Sequence, residues 1–138
     1  MRSLPILLDT CAALWSSEPA GLSEDARSAI AQAEKDNVPV LVSPITAWEV
    51  GLLVSRGRVA LRTEPRRWFD ELIEAGVELA DLDSGILVDS SFLPGDIHSD
   101  PADRILAATA RAFGYRLMTR DRPLLDYAAA GHLQAIAC

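Results

Sequence analysis

Four carboxylates stand at positions from which they could bind metal ions. Asp9 ends the apolar run of residues 4–8, and Asp121 comes just after a second such run late in the chain. Glu49 and Asp103 each share a predicted helical face with apolar residues. If these acids converge, their mutual repulsion is costly unless cations neutralise it. Hard oxygen ligands select Mg²⁺ or Mn²⁺ rather than zinc, and such ions activate water and stabilise charge on a phosphoryl group.

Each acid taken alone also has a simpler structural explanation. Asp9 and Asp121 are typical helix caps or turn formers, because Asp commonly begins the segment after a strand. Glu49 shares its face with Ile45 and Leu52, and a carboxylate within an apolar stripe must be paired, neutral or bound to a cation. The alternative for Glu49 is an edge position from which its carboxylate reaches solvent or an arginine.

The segment HSDPADRILAATA at 98–110 contains two acids that helix chemistry explains to different degrees. Asp100 is a good N-cap with Pro101 at the first helical position, and this role suffices for it. Asp103 occupies the acid position of a capping box, near the positive end of the helix. Because Asp103 also shares a face with Leu106, we expect it to point toward the sheet.

The elements that would position these acids alternate between strand and helix. Strands are predicted at 4–8, 39–42, 77–82, 115–119 and 133–137. Helices are predicted at 10–16, 24–36, 44–55, 64–75, 84–91, 101–114 and 122–130. Such alternation predicts a parallel sheet with helices on both faces. In these folds ligands bind beyond the carboxyl ends of the strands, where Asp9 and Asp121 are placed.

The composition indicates one ordinary globular domain over residues 1–138, with 49% hydrophobic and 24% charged residues. The net charge of −7 counts against a protein that coats nucleic-acid phosphates. It is compatible with an acidic site whose bound ions supply positive charge. Cys11 and Cys138 are expected to be free thiols in a reducing compartment. No segment has the pattern of a signal peptide or the length of a membrane span, so we expect a cytoplasmic protein.

Four motifs carry a resemblance to a known family. They are LLDTCA at 7–12, SPITAWEVGLL at 43–53, HSDPADRILAATA at 98–110 and LMTRD at 117–121. In this order and spacing they resemble the PIN-domain family, and within it the VapC-type ribonuclease toxins of bacterial toxin–antitoxin pairs. The resemblance covers essentially the whole chain. It implies a three-layer α/β/α fold around a parallel sheet, and metal-dependent cleavage of RNA.

The resemblance also implies a role for each matching residue. The catalytic and metal-binding acids would be Asp9, Glu49, Asp103 and Asp121. The supporting residues would be Thr10, Thr119 and Asp100. These acids would bind one or two Mg²⁺ or Mn²⁺ ions, which activate a water for in-line attack on an RNA phosphodiester.

Three further side chains near these motifs have weaker assignments. His98 fits the family's pattern, and we interpret it as a loop or packing histidine. Arg104 is interpreted as a structural ion-pair former, with phosphate contact as the alternative. Arg120 is a weaker candidate for substrate contact.

The resemblance implies two protein partners, a second copy in a homodimer and a small VapB-type antitoxin that inserts a segment into the active groove. A group of arginines has two open interpretations, a solvated helical face or a surface for RNA or antitoxin. These arginines are Arg56, Arg58, Arg62, Arg66 and Arg67.

Two other functions compete with RNA cleavage. In aspartate-based phosphoryl transfer, Asp9 would be the nucleophile. The phosphatases of that class usually have a second Asp two residues later, where this chain has Cys11, and their late lysine has no counterpart because the only lysine is Lys35. The other alternative is a PIN-like module that binds a partner without catalysis, which the presence of all four acids disfavours.

Overall fold

The structure is a computed structural model that describes residues 3–18 and 21–138. Its strands are β1 (Ile6–Leu8), β2 (Val40–Val42), β3 (Glu78–Leu79), β4 (Arg116–Thr119) and β5 (Gln134–Ala137). The helices of the described residues are α1 (Thr10–Ser16), α2 (Glu24–Lys35), α3 (Pro44–Ser55), α4 (Pro65–Glu74), α5 (Ser84–Asp89), α6 (Pro101–Phe113) and α7 (Arg122–Ala129). None of these helices combines the length and the apolar character that crossing a membrane requires.

The strands form one parallel sheet in the order β3-β2-β1-β4-β5. Leu7 at the centre of β1 is in register with Leu41 of β2 and Leu117 of β4. The strands β2 and β3 follow one another on one side of β1. The chain then crosses to the other side of β1, where β4 and β5 lie. All carboxyl ends therefore meet at one edge, and the reversal of strand order lies between β1 and β4.

Apolar side chains cover both faces of the sheet, because successive strand residues point to opposite sides. On one face Ile6 and Leu8 pack with buried residues of α1, α2 and α4. On the other face Leu7 and Leu117 pack with α6 and α7. The predicted arrangement of a central parallel sheet with helices on both sides is confirmed.

Several helices begin where their sequence signals predict. Ser23, Ser43, Asp83 and Asp100 each accept an amide hydrogen bond at the start of a helix. Pro44 and Pro101 occupy the first helical positions that suit proline. These caps fix the starts of α3 and α6, which carry Glu49 in the second turn and Asp103 in the first.

The strands are shorter than their apolar runs predict. The run from Val77 to Leu82 pairs only at Glu78–Leu79, because β3 is an edge strand with a neighbour on one side. Both of its paired residues are exposed, so burial adds little to hold a longer strand there. The predicted helix at 84–91 ends at Asp89, and β1 begins at Ile6 rather than at residue 4.

Candidate metal centre

The candidate site lies at the edge formed by the carboxyl ends of β1 and β4. Asp9 follows β1 directly, and Asp121 follows β4 by two residues. The backbone amide of Asp9 donates to the carbonyl of Met118 at 3.0 Å, which continues the pairing of the two strands up to the site. Ligands of parallel α/β folds bind at this point of the sheet, where the strand order reverses.

His98 lies between two carboxylates at this edge. Its Nε2 atom is 2.7 Å from Oδ2 of Asp103 and 3.7 Å from Oδ2 of Asp121. One donor atom from each side chain lies within 4.8 Å of the others, and all three residues are half-buried. One cation could contact all three donors. Within residues 3–18 and 21–138, no other group of three His, Cys, Asp or Glu side chains meets this condition.

Asp9 begins a helix and also contributes to the acidic site. Only 4% of its surface is exposed, and its Oδ1 accepts the amide of Ala12 at 2.7 Å as the N-cap of α1. Burial is the main reason that the pKa of Asp9 is raised, against hydrogen bonds from Thr119 and Ala12 that lower it. The charges of Asp121 and Glu49 raise this pKa further, so Asp9 lies within the field of both acids.

Glu49 is held by a hydroxyl group rather than by an arginine. The Oγ1 atom of Thr10 donates a short hydrogen bond to Oε1 of Glu49. Thr10 also contacts the hydroxyl of Thr46 at 3.2 Å, which links the start of α1 to α3. Burial raises the pKa of Glu49, the Thr10 hydrogen bond lowers it, and the charge of Asp100 raises it. The Thr10 hydroxyl is thus a hydrogen-bond partner of this half-buried carboxylate, and the role of Glu49 in the site stays a prediction.

Asp103 has the most clearly perturbed carboxyl group of the site. Burial raises the pKa of Asp103 to about 6, while the hydrogen bond from His98 acts in the opposite direction. The charges of Asp100 and Asp121 add to the increase. A bound cation would stabilise carboxylates whose ionisation is disfavoured by burial and by like charges. Carboxylate oxygens with one imidazole nitrogen form a donor set that suits a divalent cation.

Comparison with known proteins places this fold and site in a family. The family model for the PIN domain matches residues 6–130. The chain belongs to the PIN-domain family. It is 34% identical over 123 residues to Ribonuclease VapC22 of Mycobacterium tuberculosis (strain ATCC 25618 / H37Rv), a match that covers 88% of this chain and 91% of that relative.

Solved structures share the fold at lower sequence identity. The crystal structure of VapBC2 from Rickettsia felis bound to a DNA fragment from their promoter has a TM-score of 0.69 at 15% identity, covering 98% of this chain and 99% of that chain. A toxin–antitoxin complex from Klebsiella pneumoniae has a TM-score of 0.56 at 21% identity, covering 95% of each chain. These likenesses confirm the PIN-like α/β/α fold over nearly the whole chain.

The four predicted acids of this PIN-domain chain do not all meet in one coordination sphere. Asp103 and Asp121 belong to the three-residue cluster with His98. Asp9 and Glu49 lie outside that cluster. The charges of Asp121 and Glu49 both raise the pKa of Asp9, so these carboxylates interact electrostatically. The site therefore has a donor cluster on one side and a Thr10–Glu49 pair on the other, with the buried Asp9 coupled to both.

Thr119 and Asp100 hold other members of the site in position. The hydroxyl of Thr119 accepts the amide of Asp121 at 3.0 Å and forms a hydrogen bond with the carboxylate of Asp9. Asp100 is exposed, and its Oδ1 accepts the amide of Asp103 at 2.9 Å, which confirms its predicted role as the cap of α6. Both residues form hydrogen bonds with acids of the site, and neither belongs to the donor cluster.

Among the residues that the structure describes, Arg104 does not form the ion pair that the sequence predicted. Its Nε donates to the carbonyl of Ser90 at 2.8 Å, and its Nη1 donates to the carbonyls of Ile97 at 3.2 Å and His98 at 3.3 Å. The guanidinium group thus fastens the loop before α6 to the first turn of that helix. The planar guanidinium group has several N–H donors and can bind several carbonyls at once. A single carboxylate would have used fewer of these donors.

Arg120 is likewise occupied within the chain. Its Nη2 donates to the carbonyl of Gly21 at 3.1 Å and also to that of Cys138. Its guanidinium carbon lies 3.1 Å from the centroid of the Trp15 ring. These contacts attach the segment after β4 to Trp15, to Gly21 ahead of α2 and to Cys138, and the substrate contact of Arg120 stays a prediction.

His98 is the member of the donor cluster that the sequence interpretation did not assign to the site. It lies in the predicted loop, and its ring contacts the carboxylates of Asp103 and Asp121. The cue in the sequence is an imidazole two residues before the cap of the helix that carries Asp103. That spacing alone does not say which way the loop turns, and so it could not place the ring.

Proposed function

We propose that the chain is a metal-dependent endoribonuclease, acting as the toxin of a type II toxin–antitoxin pair. The observation that carries this proposal is the convergence of Asp103, Asp121 and His98 beside the buried Asp9, at the ligand-binding edge of a PIN fold. The identity of 34% to a protein named Ribonuclease VapC22 supports RNA as the substrate.

Asp103 and Asp121 would hold the cation, with Asp9 contributing negative charge next to them. Mg²⁺ and Mn²⁺ are the ions that carboxylate oxygens favour. Such a cation supplies a Lewis acid that makes a water more acidic and neutralises charge on a phosphodiester. The protein supplies rigid placement, because Asp9 and Asp121 are tied to Ala12, Thr119 and the first turn of α7 by hydrogen bonds.

Glu49 would take a proton from the attacking group. Its Oε1 is held by Thr10, and no hydrogen bond from a described residue reaches its Oε2. Burial raises the pKa of Glu49 above its ordinary value, which makes its carboxylate a stronger base than an ordinary glutamate. The Thr10 hydroxyl fixes the orientation of the carboxylate while leaving one oxygen for the proton.

The RNA backbone would be drawn to positive charge that lies away from the acidic site. Arg56 and Arg58 after α3, and Arg66 and Arg67 on α4, are all exposed. Arg67 is paired with Glu71 at 3.2 Å and Glu74 at 3.4 Å, which reduces what it can offer to a phosphate. Backbone contacts of this kind position a nucleic acid without reading its sequence.

A VapB-type antitoxin and a second copy of the chain are the protein partners we propose. The structures of VapBC2 and of the Klebsiella pneumoniae pair are complexes of the same fold with an antitoxin. Leu87, Val88 and Phe92 lie exposed on and after α5, with Phe92 at 79% exposure, and would be covered in a homodimer. We place the activity in the cytoplasm, in accord with the free thiols of Cys11 and Cys138.

Phosphoryl transfer through Asp9 lacks its expected partner. Lys35 ends α2, which leads into the amino end of β2, so the lysine lies at the opposite edge of the sheet from Asp9. Without a lysine beside the acid, an aspartyl phosphate would have no fixed cation from the chain.

The test is cleavage of a panel of structured RNAs by the purified protein in Mg²⁺, in Mn²⁺ and in EDTA. We expect activity with either ion and none in EDTA. Glu49→Gln is expected to reduce the rate by about 10²–10⁴-fold, as for loss of a general base. Asp9→Asn and Asp121→Asn should be inactive although folded, and undiminished cleavage by either variant would refute the proposal. Co-expression with a VapB-type antitoxin encoded beside this gene should suppress the activity and yield the antitoxin complex.

A further inference from the structure

We propose that His98 is a ligand of the divalent cation, binding it through Nε2 together with Asp103 and Asp121. This inference rests on the metal-dependent function proposed above and adds a nitrogen ligand to a site otherwise made of carboxylates. Its basis is the position of one ring atom, which lies 2.7 Å and 3.7 Å from the nearest carboxylate oxygens of those two acids.

The spacing of the three donor atoms matches a shared coordination sphere. In an octahedral sphere with ligands at about 2.1 Å, adjacent donor atoms lie about 3 Å apart. The two distances from Nε2 fall on either side of that value. Small rotations of these half-buried side chains would therefore bring all three donor atoms to a single ion. The backbone of α6 and of the segment after β4 would not need to move.

The polar partners of the His98 ring among the described residues are the two acids. Its Nδ1 atom is buried and has no hydrogen-bond partner there. Nε2 is the ring atom that contacts Asp103, so binding of a cation through Nε2 would place the ring proton on Nδ1.

The backbone on either side of the ring is fixed, so the position of His98 is built into the fold. Arg104 donates to the carbonyls of Ile97 and His98 from α6, one residue after Asp103. The hydroxyl of Tyr127 on α7 donates to the carbonyl of Pro94 at 2.5 Å, near the start of the same loop. The helix that contains Asp103 and the helix that Asp121 caps thus also anchor the loop that carries the imidazole.

A nitrogen ligand changes which cation the site prefers. Imidazole binds Mn²⁺ and later transition ions better than it binds Mg²⁺, which favours oxygen ligands and retains its waters. The proposal therefore predicts tighter binding of Mn²⁺ than of Mg²⁺, and a smaller preference for Mn²⁺ when the imidazole is removed. Asp103 and Asp121 alone would hold both ions through oxygen.

The test is pulsed electron paramagnetic resonance of the full chain loaded with Mn²⁺. A directly bound imidazole nitrogen gives a hyperfine coupling that changes when the protein is made with ¹⁵N-histidine. The chain has two histidines, so His132→Gln is the matched control for His98→Gln. His132 stacks on Tyr127 and lies outside the donor cluster.

We expect the nitrogen coupling in the wild-type protein and in His132→Gln, and its absence in His98→Gln. The dissociation constant of Mn²⁺ should rise by at least about tenfold in His98→Gln, the loss seen even for outer-shell partners of metal ligands. The change for Mg²⁺, measured by competition with Mn²⁺, should be smaller.

Each opposing result has a separate meaning. Bound Mn²⁺ without nitrogen coupling in the wild-type protein, or coupling that persists in His98→Gln, would overturn the ligand assignment and leave the ribonuclease proposal standing. Failure of the wild-type protein to bind Mn²⁺ at all would overturn both. Because the isotope experiment and its His132 control do not need the His98 variant, poor folding of that variant would not leave the question open.

Discussion

The Oδ1 atom of Asp100 accepts the backbone amide of Asp103 at 2.9 Å, so one acid of the pair holds the helical turn that carries the other. Asp100 is exposed and uses its carboxylate on the helix, whereas Asp103 turns its carboxylate to His98. Two acids three residues apart therefore differ in function, because only the second lies on the face of α6 that is directed at the sheet.

Substitutions at these two positions should separate stability from metal binding. Asp100→Ala removes the cap and should lower the free energy of unfolding by about 1 kcal/mol, while Asp100→Asn retains a capping side chain and should cost little. Asp103→Asn should leave the helix intact and weaken Mn²⁺ binding strongly. Urea denaturation and Mn²⁺ titration of the three variants provide the measurement, and equal Mn²⁺ affinity in Asp103→Asn and wild-type protein would contradict the assignment.

The raised pKa of Asp103 predicts how the metal-free protein responds to pH. Its folded-state pKa of about 6 exceeds the ordinary value of 3.8, so the folded state binds the proton more tightly than the unfolded state. The stabilising contribution is complete below pH 4 and is lost as pH rises through 6. In EDTA, this group should reduce the free energy of unfolding by at most about 3 kcal/mol between pH 4 and pH 7.

Asp103→Asn is the control for that pH dependence, since it retains the shape of the side chain without its ionisation. The difference in unfolding free energy between the two proteins should move in favour of the variant as pH rises from 4 to 7. Saturating Mn²⁺ should reverse the order at pH 7 by binding the wild-type site. A difference that stays constant across this pH range would show that the carboxyl group of Asp103 titrates normally.

Local sequence patterns predicted the elements on which Asp9, Asp103 and Asp121 lie. Asp9 and Asp121 follow buried apolar strands, and Asp103 lies in the first turn of a helix whose start is marked by Asp100 and a proline. Each position follows from periodicity or capping within a few residues. The parallel order of the strands then brings their carboxyl ends to one edge, as chain alternation predicts.

The contacts of His98 and Arg104 could not be predicted in this way. They depend on the path of the loop from Ser90 to Ser99, which is set by hydrogen bonds to α6 and α7 and by Gly95 at a φ of +72°. A Cβ at Gly95 would also meet the ring of His132. Such non-local contacts leave no periodic pattern, and therefore the partners of the arginine and the imidazole emerged only from the structure.

Thr10 should stabilise Glu49 through its hydroxyl group. Thr10→Val preserves the shape of the side chain but removes the donor to Oε1, and should lower the free energy of unfolding by about 1–3 kcal/mol near neutral pH. Thr10→Ser retains the hydroxyl and serves as the control. A double-mutant cycle with Glu49→Met, which removes both carboxylate oxygens, measures the interaction directly, and strictly additive effects of the two substitutions would show that the hydroxyl and the carboxylate do not interact.

Replacement of Arg104 distinguishes a structural role from contact with RNA phosphate. Arg104→Met retains the aliphatic stem but leaves three carbonyls without their donor, and should lower the free energy of unfolding by about 2–3 kcal/mol. Arg104→Lys retains the charge but not the planar fork, so it should restore only part of this loss. Hydrogen exchange should accelerate at amides of the loop from Ser90 to Ser99 and not in the sheet. A raised KM for RNA in both variants, with unchanged stability and loop exchange, would instead support the phosphate contact that the sequence left open.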